Sequence, residues 1–152
     1  MHFYYIHQGN IFDSDCQALV NPVNCQGVMG KGLAKEFKKR FPYNFKEYKE
    51  ACDVGVVRIG RLYVGKDNGT IIFNFPTKDE WRKPSKYEYI EKGIRDLVKV
   101  LKVFPFITSI AIPPLGCGLG GLNWDVVRRM IVNELQDGLG DDYPLNVKVY
   151  CP

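Results

Sequence analysis

The sequence predicts an α/β fold with a mixed β-sheet between layers of helices, and three observations support this prediction. Short apolar runs typical of buried strands alternate with segments whose apolar residues recur at helical spacing. The first predicted strands have no long helical crossover between them, which favours a mixed sheet over a purely parallel one. The chain has 152 residues, the length of one domain, and no linker or internal repeat divides it. We therefore expect a single domain over residues 1–152.

The first half of the chain is expected to contain four strands and two helices. The strands are short apolar runs, and the last two flank a turn at residues 66–69, where Asn and Gly tolerate a positive φ. The first helix is predicted because Leu33, Phe37 and Phe41 recur at helical spacing with lysines on the opposite side. In order, the elements are strands at residues 3–6 and 18–20, helices at 30–40 and 45–52, and strands at 61–65 and 70–75.

The second half is expected to contain two helices, each followed by a strand. Ser85 and Glu88 have the spacing of a capping box, in which the hydroxyl and the carboxylate accept from free backbone N–H groups. Asn123 is predicted to cap the last helix, which stops near Gly138. Residues 106–112 are apolar and β-branched without alternation, as expected for a strand covered on both faces. In order, the elements are a helix from residue 85, a strand at 106–112, a helix at 123–138 and a strand at 147–150.

Composition and charge are those of an ordinary globular domain. Hydrophobic residues make up 45% of the chain and charged residues 25%, which excludes collagen-like and disordered classes. No apolar run approaches the roughly 18 residues of a membrane helix, and the N-terminus lacks the pattern of a signal peptide. Five cysteines without a Cys-x-x-Cys pair predict neither a metal site nor a disulfide framework, and they favour the reducing cytoplasm. The net charge of +4 permits a nucleic-acid partner without indicating one.

Two glycine-rich loops, at residues 21–34 and 113–123, are the candidates for a binding site. Each follows a predicted buried strand and opens a helix, so its glycines let the backbone approach a ligand and the helix N-terminus offers free N–H groups to an anion. Together the loops suit the two ends of a diphosphate, unless they are only tight turns. The histidines, His2 and His7, flank the first strand and are more typical of surface residues than of catalytic bases.

Two better-known nucleotide motifs fit these loops poorly. Residues 30–31 resemble the end of a P-loop, but Gly32 stands where Ser or Thr must bind magnesium. Residues 116–121 satisfy the dinucleotide pattern G-x-G-x-x-G, and Asp141 follows about 20 residues later. In the dinucleotide pattern, however, the acidic residue lies at the end of the next strand, whereas Asp141 precedes the last predicted strand. A dehydrogenase is therefore a weak alternative, and we expect no cofactor.

The order and spacing of four motifs resemble the macrodomain family, whose members bind ADP-ribose. The motifs are G-N-I at residues 9–11, A-L-V-N-P-V-N at 18–24, G-V-M-G-K-G at 27–32 and P-P-L-G-C-G-L-G-G at 113–121. The resemblance covers essentially the whole chain and implies a three-layer α/β/α fold with ADP-ribose in a cleft at the strand ends. Residues 74–94 look most like the DarG-type branch of DNA ADP-ribosyl glycohydrolases, antitoxins related to terminal ADP-ribose protein glycohydrolase.

By position, the resemblance implies which residues bind ADP-ribose. Asn10 and Ile11 should contact the adenine, Asn21 and Asn24 the distal ribose, and residues 115–121 the diphosphate. Many macrodomains have Asp where this chain has Asn10, and an uncharged amide implies a weaker hold on adenine. The implied set is Asn10, Ile11, Asn21, Asn24, Gly30, Lys31, Gly32, Leu33, Thr77, Pro114, Leu115, Gly116, Cys117, Gly118, Leu119 and Gly120.

Lys78 is the candidate catalytic residue, because in the branch that this chain resembles the lysine of N-F-P-T-K performs the chemistry. A neutral amine can attack the anomeric carbon of the ribose, or its opened aldehyde, and form a Schiff-base-type intermediate. Burial or a nearby cation such as Arg82 would favour the neutral amine. We expect Lys78 to follow a strand that ends at a kink at Pro76. Judged without the resemblance, such a lysine is more often only a solvated charge.

The sequence around Lys78 favours DNA over protein as the carrier of ADP-ribose. The protein-directed relative has an acidic residue where this chain has Gly120, so a leaving group that departs with little help, such as an acidic thymine nitrogen, is favoured here. Trp81, Arg82 and Lys83 place an aromatic ring and cations beside the site. That combination suits single-stranded nucleic acid, although a solvated turn has the same composition.

The expected function is removal of ADP-ribose from bases of single-stranded DNA by a cytoplasmic, monomeric hydrolase. The resemblance implies ADP-ribose as ligand and product, ADP-ribosylated single-stranded DNA as substrate, and a cognate ADP-ribosyltransferase toxin as partner, without a membrane. Three alternatives stay open at this point. They are a glycohydrolase for protein-linked ADP-ribose, a phosphatase for ADP-ribose 1″-phosphate, and a non-catalytic ADP-ribose-binding module.

Overall fold

The computed structural model describes residues 1–152 and contains six strands and four α-helices. The helices are α1 (Gly32–Arg40), α2 (Pro42–Asp53), α3 (Tyr87–Val103) and α4 (Trp124–Leu139), with one 3-10 turn at Ile11–Asp13. The strands are β1 (His2–Ile6), β2 (Ala18–Asn24), β3 (Tyr63–Asp67), β4 (Thr70–Lys78), β5 (Ser109–Ile112) and β6 (Asn146–Tyr150). None of the helices is long and apolar enough to cross a membrane.

The six strands form one mixed sheet in the order β1-β6-β5-β2-β4-β3. All neighbouring pairs are parallel except β3 and β4, which are antiparallel and joined by the tight turn predicted at residues 66–69. Asn68 in this turn has a φ of 50°, a conformation that Asn adopts more readily than most residues. The predicted mixed sheet is therefore confirmed, and β2 lies near its centre between β5 and β4.

Helices cover both faces of the sheet. Since successive side chains of a strand point to opposite sides, each inner strand contributes to two cores. Val20 and Phe73 pack into a core with α3 and α4, whereas the neighbouring Leu19 and Ile72 pack into a second core with α1 and α2. All four side chains are at least 96% buried. The arrangement is the three-layer α/β/α architecture expected from the sequence.

Each predicted strand and helix is present, but the capping box predicted at Ser85 and Glu88 is wrong. Helix α3 begins at Tyr87 after Lys86, and no side chain caps its first N–H groups. Ser85 is instead buried, and its backbone N–H donates to the carbonyl of Gly120 at 3.0 Å. A long-range contact with the second glycine-rich loop thus removes Ser85 from the helix start, which local sequence could not reveal.

The strand boundaries differ from the prediction by one or two residues at β1, β3 and β6, and by three or four residues at β2, β4 and β5. Strand β5 begins at Ser109 rather than at residue 106, because Phe106 is 61% exposed and residues 104–107 form a turn. Strand β2 continues to Asn24. Strand β4 runs through Pro76 to Lys78, so the predicted kink does not end it. Lys78 is therefore held by the sheet, opposite Asn24, instead of standing on a loop.

Candidate active site

The loops that follow β2, β4 and β5 meet at one edge of the sheet and enclose a cleft. These three strands are parallel neighbours, so their carboxyl ends share an edge, the usual ligand position in open α/β sheets. The cleft has a volume of about 520 Å³, which lies within the range of small-molecule sites. Its lining residues are Pro22, Val23, Asn24, Val28, Gly30, Lys31, Gly32, Leu33, Ala34, Thr77, Lys78, Trp81, Pro113, Pro114, Gly116, Gly118, Leu119 and Gly120.

Asn24, the last residue of β2, holds the first glycine-rich loop in place. Its side-chain amide donates to the carbonyl of Val28 at 2.7 Å, and its side-chain oxygen accepts from the backbone N–H of Gln26 at 2.9 Å. The buried Tyr48 hydroxyl donates to the backbone carbonyl of Asn24 at 2.6 Å. Burial raises the pKa of Tyr48, so this hydroxyl stays a donor at all ordinary pH values. Asn24 therefore fixes the loop as well as lining the cleft.

Lys78 reaches the cleft from the end of β4. Its Nζ donates to the backbone carbonyl of Trp81 at 3.3 Å, which turns the side chain back along its own loop. The loop is tied to the first glycine-rich loop, since the backbone N–H of Trp81 donates to the side-chain oxygen of Gln26 at 3.0 Å and that of Cys25 to the carbonyl of Asp79 at 3.3 Å. The amine is thus placed by strand pairing and by two inter-loop hydrogen bonds.

The second glycine-rich loop needs glycine at two positions for different reasons. Gly116 has a φ of 72°, which is strained for any residue with a Cβ. At Gly120 a Cβ would collide with the carbonyl oxygen of Gly116 and with Oγ of Ser85. Gly118, by contrast, has no heavy atom within 4 Å of the position a Cβ would take. The loop is therefore tightly folded at Gly120 and open towards the cleft at Gly118.

Lysines are the only ionisable side chains that line the cleft. Lys31 stands on the wall formed by the first loop and Lys78 at the end of β4, while Asp, Glu and His are absent from the lining. Burial raises the pKa of the nearby Cys25 thiol to about 12 and that of Cys117 to about 11, so both thiols are protonated at neutral pH. Among the ionisable groups in and beside the cleft, the lysine amines are therefore the candidates for a nucleophile.

Three buried asparagines connect β2, β4 and α2 close to the cleft. Asn74 accepts from the side-chain amides of Asn21 at 3.2 Å and Asn44 at 3.1 Å, and it donates to Asn44 at 2.9 Å. Asn21 is fully buried and does not line the cleft, and its side-chain oxygen has no hydrogen-bond partner. Asn21 therefore belongs to the network that joins β2 to β4 and lies outside the cleft lining.

Most of the residues predicted to bind ADP-ribose come together in this cleft. Those that line it are Asn24, Gly30, Lys31, Gly32, Leu33, Thr77, Pro114, Gly116, Gly118, Leu119 and Gly120, together with Lys78 and Trp81. Those that lie outside the lining are Asn10, Ile11, Asn21, Leu115, Cys117, Arg82 and Lys83. Sequence reasoning missed Pro22, Val23, Val28, Ala34 and Pro113, although they belong to the strand ends and loops that it had singled out.

Two of the predicted groups already have partners within the chain. The side chain of Asn10 accepts from the backbone N–H of Phe12 at 3.0 Å and so caps the 3-10 turn. Lys83 forms an ion pair of 2.7 Å with Glu80. Arg82 stacks its guanidinium 4.6 Å from the centre of the Trp81 ring. The aromatic ring and the cation predicted to lie beside the site are thus adjacent in space.

Comparison with known proteins agrees with the fold. Residues 20–131 match the sequence pattern of the Macro domain, and the chain belongs to the macrodomain family. Within that family it is similar to proteins named DNA ADP-ribosyl glycohydrolase. The one from Mycobacterium tuberculosis is 47% identical over 133 residues, which cover 84% of this chain and 37% of the relative. The chain thus spans well under half of that relative.

Solved structures show the same similarity at the level of the fold. The macrodomain of Mycobacterium tuberculosis DarG superimposes with a TM-score of 0.91 and 42% identity, covering 99% of this chain and 97% of the other.

A fusion protein from Thermosipho africanus is similar in both sequence and structure. This fusion of a DNA ADP-ribosyl transferase and a DNA ADP-ribosyl glycohydrolase is 33% identical over 164 residues, which cover 95% of this chain and 41% of the relative. The solved structure of Thermosipho africanus DarTG, in complex with ADP-ribose, matches with a TM-score of 0.87 and 34% identity over 99% of this chain and 42% of that one.

Proposed function

We propose that this chain removes ADP-ribose from bases of single-stranded DNA, with Lys78 as the catalytic residue. The observation that carries the proposal is the placement of the Lys78 amine in a cleft whose lining has no carboxylate and no imidazole. The cleft's volume and its two glycine-rich walls suit ADP-ribose, a ligand with a central diphosphate. The similarity to DNA ADP-ribosyl glycohydrolases supports DNA as the carrier of that group.

The amine of Lys78 provides a route that needs no acidic residue. In the neutral form, Nζ attacks the anomeric carbon of the ribose, and the bond from that carbon to the base nitrogen breaks. The electron pair goes to the base nitrogen, which takes up the proton that the lysine nitrogen loses. Water then adds to the same carbon and displaces the amine, so the products are free ADP-ribose, the unmodified base and regenerated Lys78.

The structure of the Gly120 loop supports a nucleobase as the leaving group. An acid at position 120 would assist departure of a poor leaving group, but a Cβ there has no room beside Gly116 and Ser85. A thymine ring nitrogen is acidic enough to leave as the anion with little assistance. The missing acid is therefore consistent with base-linked ADP-ribose.

The groups beside the cleft mouth support a nucleic-acid substrate. Trp81 lines the cleft and is 38% exposed, so its ring offers a surface on which a base can stack. Arg82 lies over this ring and is available to a phosphate, whereas Lys83 is partly neutralised by Glu80. We infer that Trp81 and Arg82 contribute more to DNA binding than Lys83 does.

A DNA ADP-ribosyltransferase is the partner that this activity requires, because a hydrolase of base-linked ADP-ribose needs an enzyme that attaches it. The fused transferase and glycohydrolase of Thermosipho africanus supports this pairing. We propose that the chain acts as an antitoxin by reversing the modification that such a transferase makes.

The test is a comparison of three substrates under one set of conditions. They are an oligonucleotide ADP-ribosylated on thymine, a protein ADP-ribosylated on glutamate, and ADP-ribose 1″-phosphate. We expect release of ADP-ribose from the oligonucleotide, with the other two cleaved far more slowly. Cleavage of the protein or the phosphate alone would assign the other hydrolytic activity, and binding of ADP-ribose without any cleavage would make the chain a binding module.

A further inference from the structure

Helix α1 carries a row of lysines without an acidic partner that begins at the cleft; the Nζ of Lys38 lies 4.5 Å from the centre of the Phe45 ring. Lys31, Lys35, Lys38 and Lys39 are all exposed. At 100° per residue, Lys35, Lys38 and Lys39 fall within an arc of about 100° on the side of the helix opposite Leu33 and Phe37, and Lys31 is the N-cap residue just before the helix. None of the four lies within 4.0 Å of a carboxylate, whereas the neighbouring Arg40 pairs with Glu36. We call these four residues the lysine stripe.

The stripe is not explained by the helix itself. Lys38 and Lys39 lie in the last turn, where cations stabilise a helix through its dipole. Lys31 and Lys35 lie at its start, where the same dipole disfavours cations, yet the first turn has no acidic residue and no side-chain cap. The helix dipole therefore accounts for the lysines of the last turn but not for Lys31 and Lys35, which lie at the end of α1 that borders the cleft.

We propose that the lysine stripe binds the backbone phosphates of the DNA strand that continues away from the modified nucleotide. The stripe starts at Lys31, which lines the cleft, and at 1.5 Å per residue it extends about 12 Å to Lys39. That distance spans a few phosphates of an extended strand. The proposal rests on the proposed function, since it assigns this surface to the same DNA substrate.

Charge distribution favours DNA on this face of the molecule. Residues 31–40 contain five cations and one carboxylate, although the whole chain has 21 Lys and Arg against 17 Asp and Glu. Of the ten lysines outside the stripe, three form ion pairs: Lys49 with Asp53, Lys83 with Glu80 and Lys148 with Asp15. Phosphates that contact free lysines release counterions, which gives affinity without sequence preference.

The test compares two triple variants that remove equal charge. One changes Lys35, Lys38 and Lys39 to Ala, and leaves Lys31 in place because it lines the cleft. The control changes Lys92, Lys99 and Lys102 to Ala, which are exposed on α3 on the other face of the sheet. Binding of an unmodified single-stranded oligonucleotide is measured by fluorescence anisotropy at 50 and 200 mM salt, and release of ADP-ribose is measured on the same oligonucleotide carrying ADP-ribose at its centre.

The stripe variant should lower the slope of log affinity against log salt by about 2, at roughly 0.7 per lost phosphate contact. When salt rises from 50 to 200 mM, the factor by which its affinity falls should therefore be about 20 times smaller than for the unmodified protein. The control variant should keep most of the original slope. Equal slopes of log affinity against log salt for the two variants would overturn the proposal. If the stripe variant alone then lost binding to a polyglutamate peptide, the stripe would instead be a surface for an acidic protein.

Failure of the proposed function gives a different result. In that case the unmodified protein releases no ADP-ribose from the oligonucleotide, while the anisotropy measurement still reports on the stripe. Loss of oligonucleotide binding in the stripe variant would then support the surface without the reaction. If the stripe variant kept its affinity for the oligonucleotide and all variants hydrolysed the substrate normally, DNA binding by the stripe would be rejected and the proposed function would stand.

Discussion

Gly120 shows how a single residue shapes the chemistry of the cleft. Its backbone carbonyl accepts from the N–H of Ser85, and the space that a side chain would need is taken by the carbonyl of Gly116 and the hydroxyl of Ser85. In this conformation of the loop, position 120 therefore has no room for an acidic side chain.

This packing predicts that Gly120→Ala is destabilising. Relief of the overlap requires movement of backbone, which typically costs roughly 1–3 kcal/mol, so the free energy of unfolding in urea should fall by that amount and ADP-ribose affinity should fall with it. Gly118→Ala is the matched control in the same loop, because its Cβ would meet no atom within 4 Å. A Ser85→Gly change should not fully rescue Gly120→Ala, since the carbonyl of Gly116 remains. Native stability in Gly120→Ala would show that position 120 has room for a side chain.

At the scale of elements, the starts of α3 and α4 differ although both were predicted to be capped. Asn123 accepts from the backbone N–H of Val126 at 3.3 Å, as predicted, and α4 begins at the next residue. Ser85, predicted to form a capping box with Glu88, is drawn into the contact with Gly120, and its Oγ is left without a partner. Helix α3 thus begins without a side-chain cap.

The two helix starts should respond differently to alanine. Asn123→Ala removes a cap and should cost about 1 kcal/mol in the free energy of unfolding. Ser85→Ala removes a hydroxyl that makes no hydrogen bond, and its effect should be small or slightly stabilising. Urea unfolding of both variants is the measurement. An equal loss in the two would mean that Ser85 caps α3 in solution.

The local sequence pattern predicted which strands and helices are present, but it did not predict all of their boundaries. Buried apolar runs and helical spacing predicted every strand and helix, because these signals arise within one element. The continuation of β4 to Lys78 could not be predicted, since Pro76 is usually excluded from inner strands and only pairing with β2 stabilises it there. The burial of Asn21 and the asparagine network likewise depend on strands that are distant in sequence.

At the scale of the whole molecule, the strand order places the loops proposed to bind the ligand and the lysine proposed to react on three neighbouring strands. The loops after β2 and β5 form the two glycine-rich walls of the cleft, and β4, which lies beside β2, supplies Lys78 from the sheet edge. The motifs were recognisable from the sequence, but their convergence on one cleft follows from the strand order. Removal of the amine should therefore leave the walls, and the affinity that they provide, in place.

The most direct test of the account is the effect of Lys78→Ala on two quantities measured on one preparation. These are ADP-ribose affinity by calorimetry and the single-turnover release of ADP-ribose from an oligonucleotide ADP-ribosylated on thymine. We predict that affinity changes little while release is lost, because the amine acts on the reacting carbon and the glycine-rich loops hold the ligand. Release at the rate of the unmodified protein, with affinity retained, would contradict the role of Lys78 and require a bound water as the nucleophile.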